Sequence, residues 1–351
     1  MVAALALISI TATGADAASS KSRASPDLTS DSINSAGPER NDAALITKAE
    51  VLLDRNHFSP GQIDGKDGEN FRKALAAFQQ TQKLNPTGKI DADTWSALAP
   101  KSPAPVLKRY TISEEDVAGP FEKQIPRQLE QMAKLHGLTY KSPLEELSEK
   151  FHMNESLLRT LNPGADFERA GTTITVADVL PMVLHRTEHT IEAVRTREQT
   201  EGQSADTIVV DKPAREVRAY TKDGKLLGFY PATIGSDEKP APTGTFKVRR
   251  VAWNPDYHYD PKFRWKNVKT KQKLTIAPGP NNPVGLVWID LSAPSYGIHG
   301  TPEPDTIGKT SSHGCIRLTN WDAVDLAAMA HPGTVVKFDD QDSPVVPLAS
   351  R

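Results

Sequence analysis

The chain has 351 residues, enough for two or three domains at roughly 100 to 200 residues each. Lysine and arginine total 42 against 44 aspartates and glutamates, so a formal net charge of −2 supplies no long-range field for nucleic acid or an anionic bilayer. At 38% hydrophobic and 25% charged the composition can build cores and argues against a membrane-spanning or wholly disordered protein, while 27 prolines and 22 glycines mark much of the chain as turns and linkers. The first stretch, MVAALALISITATGADA, has a short apolar run from Val2 to Ile10 and then small residues ending in Ala15-Asp16-Ala17, an A-x-A-like cleavage site. Residues 1–18 are therefore expected to be a signal peptide and the protein to be exported. The run is too short to span a bilayer, so no integral membrane segment is expected after its removal. No basic residue precedes it, a departure from the usual leader. The Ser-rich stretch 19–41 that follows lacks any apolar period and reads as a disordered linker.

From 42 to 100 a small helical unit is expected. Phe71, Ala74, Leu75 and Phe78 fall at i, i+3, i+4 and i+7, one face of a helix. The turn Pro86-Thr87-Gly88 separates that helix from a second at 91–98, with Asp91 as its N-cap. Three short helices with a small core fit this pattern. The stretch FSPGQIDGKDGENFRKALAAFQQTQKLNPTGKIDADTWSAL resembles the peptidoglycan-binding type 1 domain, with its D-G-x-x-G opening, A-x-x-x-F-Q helix and T-G-x-x-D-x-x-T-W-x-x-L ending. Phe78, Trp95 and Leu98 are read as core side chains; the resemblance implies a ligand for the domain, peptidoglycan, rather than any one contact.

Lys101 to Pro105 is a Pro-rich linker. In 108–180, Tyr110-Thr111-Ile112 reads as a strand, Leu144, Leu147 and Phe151 and then Leu157, Leu158 and Leu161 as two amphipathic helices, and Thr172 to Val176 as a β-branched strand. This strand, helix, helix, strand order, with LEELSEKFHMNESLLRTLNP between the strands, resembles a LysM carbohydrate-binding module. The segment 114–139 departs from that family, in which a short loop joins the first strand to the first helix; a loop this long usually carries structure or function of its own. The alternative is a plain helical spacer. Charged residues 181–205 read as a connector, with extension of the preceding module by Met182 to Thr190 as the alternative.

From 206 to 339 the pattern is mainly β. Thr207-Ile208-Val209-Val210, 216–220, 226–230 and 245–251 are short β-prone runs separated by Lys212-Pro213, Asp223-Gly224 and Pro242-Thr243-Gly244 turns. One helix near 323–329 and a last strand at 334–338 close the domain, and 340–351 is a tail. The expected fold class is thus a multidomain α+β protein: a three-helix N-terminal domain, a LysM-like βααβ module and a mainly-β C-terminal domain.

The one cysteine, Cys315, excludes an intramolecular disulfide, and in an oxidising compartment an idle thiol is a liability. It stands in Ser311-Ser312-His313-Gly314-Cys315-Ile316-Arg317-Leu318, with Tyr296-Gly297-Ile298-His299-Gly300-Thr301 upstream. If the later segment is extended, His313, Cys315 and Arg317 share one face while Ile316 and Leu318 share the other. A thiol with a pKa of about 8.5 is only slightly ionised at neutral pH, so a neighbouring imidazole, His299 or His313, would raise its reactivity. Gly314 leaves room for backbone N–H groups to approach a developing oxyanion, where one donor is worth roughly 3 kcal/mol of barrier. Cysteine acyl transfer needs no metal or cofactor, and the sequence has no H-E-x-x-H, C-x-x-C or Gly-rich phosphate loop to suggest one.

H-G-T followed by S-H-G-C-I-R-L resembles the signature of the YkuD-type L,D-transpeptidase domain, accompanied by the P-T-G-T-F turn-strand at 242–246 and A-P-G-P-N-N-P-V-G at 277–285. The resemblance implies Cys315 as nucleophile and His299 as its base, with the Gly300 carbonyl holding the other ring nitrogen. It also implies backbone N–H groups of His313, Gly314 and Cys315 as the oxyanion hole, the His313 ring supporting the intermediate. Arg317, at a position where some members carry Asn, would pair with a substrate carboxylate, and Ser312 and Tyr296 are further substrate-contact candidates. The alternative for Cys315 and His299 is ordinary burial in the core, and for Arg317 a structural ion pair. The aromatic run Trp253 to Trp265, with Tyr257, His258, Tyr259 and Phe263, could form a lid or a sugar-stacking wall over the site, with ordinary loop packing as the favoured alternative.

The implied activity is 3→3 cross-linking of peptidoglycan stem tetrapeptides through a Cys315 thioester with release of D-Ala. The two N-terminal modules would raise the local substrate concentration by tethering. Water, a protein lysine or a free D-amino acid as acceptor would make it instead a carboxypeptidase, an anchoring enzyme or an exchange enzyme. A wall-binding scaffold with an inert C-terminal domain is the alternative from another class. A papain-like protease is disfavoured, because there the cysteine precedes its histidine in the chain.

Overall fold

The computed structural model describes residues 28–99, 104–195, 204–236, 240–263, 270–310 and 314–340; the expected leader 1–18 lies outside them. The helical unit comprises α1 (Ser30–Asn34), α2 (Ala43–Arg55), α3 (Glu69–Thr81) and α4 (Ala92–Leu98). Asp42 and Asp91 accept from backbone N–H groups to cap α2 and α4, and Phe71, Ala74, Leu75 and Phe78 of α3 are buried together. Buried Gln79 fixes the 86–90 turn, accepting from Gly88 N and donating to Lys89 O and Thr94 Oγ1.

Helix α1 corrects the reading of 19–41 as wholly disordered. Its first turn closes a reciprocal capping box between Thr29 and Ser32, and Ile33 is fully buried. Tertiary contacts supply what the local pattern lacks. Lys48 Nζ donates to the carbonyls of Asn34 and Ala36, and Asn34 Oδ1 accepts from Val106 and Leu107 N.

The middle unit runs β1 (Leu107–Thr111), α5 (Glu114–Ala118), α6 (Leu129–Met132), α7 (Pro143–Lys150), α8 (Glu155–Leu161) and β2 (Thr173–Ala177). The two strands pair antiparallel over their full length, Leu107 opposite Ala177. Ser142 and Asn154 cap α7 and α8. The 114–139 segment thus carries two short helices of its own. Residues 181–205, read as a connector, contain an antiparallel hairpin of β3 (Leu184–Arg186) and β4 (Ile191–Ala193). Met182 N donates to Lys150 O on one side, and Ala193 exchanges two hydrogen bonds with the Asn254 side chain on the other.

The C-terminal domain is built on a nine-stranded sheet. Its strands are β5 (Thr207–Asp211), β6 (Glu216–Tyr220), β7 (Leu226–Pro231), β8 (Thr233–Ile234), β9 (Gly244–Trp253), β12 (Val287–Leu291), β13 (Gly297–His299), β14 (Ile316–Arg317) and β15 (Val335–Asp339). The order is β7-β6-β5-β15-β9-β12-β13-β14-β8. Long strand β9 joins two halves, pairing with β15 through residues 244–247 and with β12 through 248–253. Only the β5–β15 and β13–β14 pairs are parallel. Helix α9 (Asn320–Met329), capped by Thr319, packs on β12 and β13 and buries Trp321, Val324 and Leu326 with Ile208, Val217, Ile289, Ile298 and Val336. Strand β10 (Tyr257–Tyr259), in the aromatic run, pairs antiparallel with β11 (Leu274–Ile276) as a separate hairpin.

The three units are not beads on a string. One apolar core joins Leu53, Phe58 and Phe78 of the helical unit to Leu147, Phe151 and Ile174 of the middle unit and to Phe229 of β7. Phe229 also exchanges backbone hydrogen bonds with 57–59, and His57 Nδ1 lies 3.2 Å from Asp325 Oδ2 while His152 Nδ1 lies 2.9 Å from Asp54 Oδ2. Among the described residues no helix is long and apolar enough to cross a membrane.

Candidate active site

Strand register assembles the site. Trp288 lies opposite His299 and Ile289 opposite Ile298; Ile298 then pairs with Ile316 and His299 with Arg317; Ile316 pairs with Ile234 and Arg317 with Thr233. Side chains of paired residues share a face of a sheet. Ile289, Ile298 and Ile316 are fully buried in the core, so Trp288, His299, Arg317 and Thr233 form a row on the other face. Cys315 sits at the entrance to β14, two residues before Arg317.

His299 is 3% exposed, and its Nδ1 lies 2.7 Å from Gly300 O. A carbonyl only accepts, so Nδ1 donates and the lone pair of the neutral ring is on Nε2. Burial, and next the Arg317 charge, push its pKa down to about 3, with the Gly300 carbonyl opposing. The ring is therefore a neutral imidazole at ordinary pH. Trp288 stacks on it at 5.4 Å with the planes 20° apart.

Cys315 is half-buried, its Sγ 3.9 Å from Ser295 O in the turn between β12 and β13. Gly314 before it has φ +100°, a conformation a side chain resists, which gives a physical reason for glycine there. Half-buried Arg317 is pulled in two directions: burial lowers its pKa, while Cys315, Glu303 and Tyr257 act electrostatically to raise it. By reciprocity the guanidinium favours a Cys315 thiolate and disfavours a His299 cation. Tyr257 of β10 is buried, which raises its pKa, and the Cys315 charge adds to this.

Of the site residues expected from sequence, His299, Gly300, Gly314, Cys315 and Arg317 thus lie along β13 and β14. Tyr296 is half-buried in the 293–296 turn, its hydroxyl donating to Pro240 O at 3.4 Å. Ser312 and His313 lie outside the described residues. Sequence reasoning did not single out Trp288 or Asn320. In Val287-Trp288-Ile289-Asp290-Leu291 the even positions leave the core face, and a Trp there was the available signal. Tyr257 and Tyr259, expected in a lid, are buried with Ile276 and Val284 against Leu129 and Leu138 of the middle unit. Strands β10 and β11 are therefore packed onto the middle unit through these side chains. Among the described residues no three His, Cys, Asp or Glu side chains are grouped to hold a metal ion.

Family models match at two places: the L,D-transpeptidase catalytic domain (YkuD) over 205–338 and a "Putative peptidoglycan binding domain" over 43–98. The chain is 34% identical over 140 residues to "Putative L,D-transpeptidase YqjB" of Bacillus subtilis, covering 38% of this chain and 72% of that protein. It is 33% identical over 131 residues to "Putative L,D-transpeptidase YkuD" of Bacillus licheniformis, covering 37% of this chain and 64% of that one. A solved L,D-transpeptidase from Mycobacterium smegmatis aligns over 50% of this chain and 76% of its own at 20% identity, with a TM-score of 0.32. On the strength of the Bacillus subtilis relative, most of whose length it spans, this chain belongs to the L,D-transpeptidase family.

Proposed function

We propose that the protein is a cysteine L,D-transpeptidase that cross-links peptidoglycan stems 3→3. The observation that carries this reading is the β13–β14 register, which sets a neutral imidazole beside Arg317 and the Cys315 entrance to β14. In the first half-reaction Cys315 Sγ attacks the carbonyl carbon between the diamino acid at stem position three and the terminal D-Ala. His299 Nε2 takes the thiol proton and returns it to the departing D-Ala amine, leaving a thioester. In the second, the side-chain amine of another stem attacks the thioester, its proton passes to His299, and the sulfur leaves. The backbone N–H groups of His313, Gly314 and Cys315 hold the oxyanion. Arg317 pairs with a substrate carboxylate, and Ser312 and Tyr296 contact the stem.

Peptidoglycan is the partner of the whole chain, through the helical unit at 43–98 and through glycan contacts of the LysM-like middle unit. Both roles place the protein outside the cytoplasm, after removal of a signal peptide at 1–18. Incubation of the full chain with purified disaccharide-tetrapeptide, followed by mass spectrometry, tests the activity beside Cys315→Ala. Release of D-Ala together with a dimer is the expected result, and Cys315→Ala gives neither. Release without a dimer identifies a carboxypeptidase, and no release refutes the reading in favour of a binding scaffold.

A further inference from the structure

We propose that Glu149, on α7 of the middle unit, is a positioning residue for the chemistry at Cys315, acting through Asn320 to hold the Gly300 end of β13 and with it the His299 ring. The inference rests on the reading of His299 as the base.

Asn320 is fully buried at the start of α9, and all its amide capacity on the nitrogen is used. Nδ2 donates to Glu149 Oε2 at 2.9 Å and to Pro280 O at 3.1 Å, while Oδ1 accepts from Leu286 N at 3.2 Å. That oxygen presses on two glycines. A methyl group on Gly285 or on Gly300 would collide with Asn320 Oδ1, and a Cβ on Gly285 would also stand 2.7 Å from the Gly300 carbonyl carbon. Asn320 is thus a wedge against the residue whose carbonyl fixes His299 Nδ1.

Glu149 sets the wedge from the other side. It is 5% exposed, and its Oε2 also accepts from the Tyr140 hydroxyl at 3.2 Å, Tyr140 being fully buried. Burial pushes its carboxyl up to about 8, so at neutral pH it holds Asn320 largely as an uncharged acid. Without it one Asn320 N–H loses its acceptor and the amide is left with Pro280 O and Leu286 N alone, so Oδ1 is held less tightly against Gly300. The same unit grips the adjoining loop independently. Leu138 N donates to Pro278 O, Asn281 N donates to Leu138 O, and Asn281 Nδ2 donates to Thr139 O. The middle unit therefore belongs to the catalytic architecture as well as to wall binding.

The test is alkylation of Cys315 by iodoacetamide in the full chain, followed by intact mass from pH 5 to 9. Wild type is compared with His299→Gln, Glu149→Gln and Glu149→Ala. Glu149→Ala is expected to slow alkylation about tenfold and to move the pH profile toward that of His299→Gln, since sub-ångström misplacement of a base has effects of this order. Glu149→Gln keeps an acceptor oxygen and should recover to within about threefold of wild type. If Glu149→Ala does not fold, Glu149→Met, of similar length and without an acceptor, replaces it. A lowered melting temperature with an unchanged rate and profile overturns the proposal, because a merely structural residue behaves so. If His299→Gln itself leaves the profile unchanged, the base assignment fails, an outcome distinct from failure of Glu149 alone.

Discussion

The burial of His299 has a cost that can be measured as proton linkage. Its pKa in the folded protein is about 3, against 6.5 for an ordinary imidazole. Between those values the unfolded chain binds a proton that the folded chain refuses, so stability rises with pH in this window and is lost on acidification. At pH 5, one and a half pH units below the unfolded pKa, the loss attributable to this one group is about 2 kcal/mol relative to pH 8, at about 1.36 kcal/mol per unit. The perturbation is His299→Gln, which can still donate to Gly300 O but has no proton to take up. Urea unfolding of both proteins at pH 8, 6.5 and 5 gives the stability difference at each pH. All other titrating groups are common to the pair and cancel to first order, so wild type should lose about 2 kcal/mol more than the variant between pH 8 and 5. A difference that stays constant with pH would refute the claim that the ring is held neutral by burial.

Gly285→Ala combines φ +61° with the backbone approach of Gly300, so it should lower stability by about 2–4 kcal/mol in denaturant unfolding. Leu138→Ala removes a fully buried side chain packed beneath the β10–β11 hairpin, and should cost about 2–5 kcal/mol and speed amide exchange in β10 and β11 more than in β5 and β6. His57 shows the opposite linkage from His299: the hydrogen bond to Asp325 raises its pKa. The stabilisation it provides is complete below the unfolded pKa and is lost as pH rises through the raised folded value. The stability gap between wild type and His57→Gln should therefore be largest in mild acid and shrink toward alkaline pH, a trend that thermal melts across pH 5 to 9 will detect.

Local sequence signals carried much of the architecture, and their failures share one cause. The face of Phe71, Ala74, Leu75 and Phe78 and the cap at Asp91 are encoded within a few residues, and so was the alternation that buries Ile316 and Leu318 while leaving Cys315 and Arg317 half-exposed. Helix α1 was not legible because its five residues hold only one buried apolar side chain, and its partners lie in α2 and β1. The β3–β4 hairpin was missed for the same reason: three-residue strands carry almost no period, and Asn254 pins this one from far along the chain. Within the site, a single motif gave His299 and Cys315. Trp288 and Asn320 become visible only through register and packing, which no local window contains.

The packing also changes what the N-terminal units contribute. A tether raises effective concentration through a linker whose length sets the gain, and it leaves the relative orientation free. Here Phe229 of β7 is fully buried in a core otherwise made by the helical and middle units, and Asn70 of α3 donates to Ile307 O, eight residues before Cys315. Under the proposed function, a peptidoglycan strand bound by the helical unit would stand at a fixed position relative to Cys315, making selection among stems a matter of geometry rather than of local abundance. Cutting the chain near 205 would expose Phe229 and remove the groups that grip Asn320 and the 277–285 loop. The candidate site is thus supported by all three units, and an excised C-terminal domain would have a differently supported site.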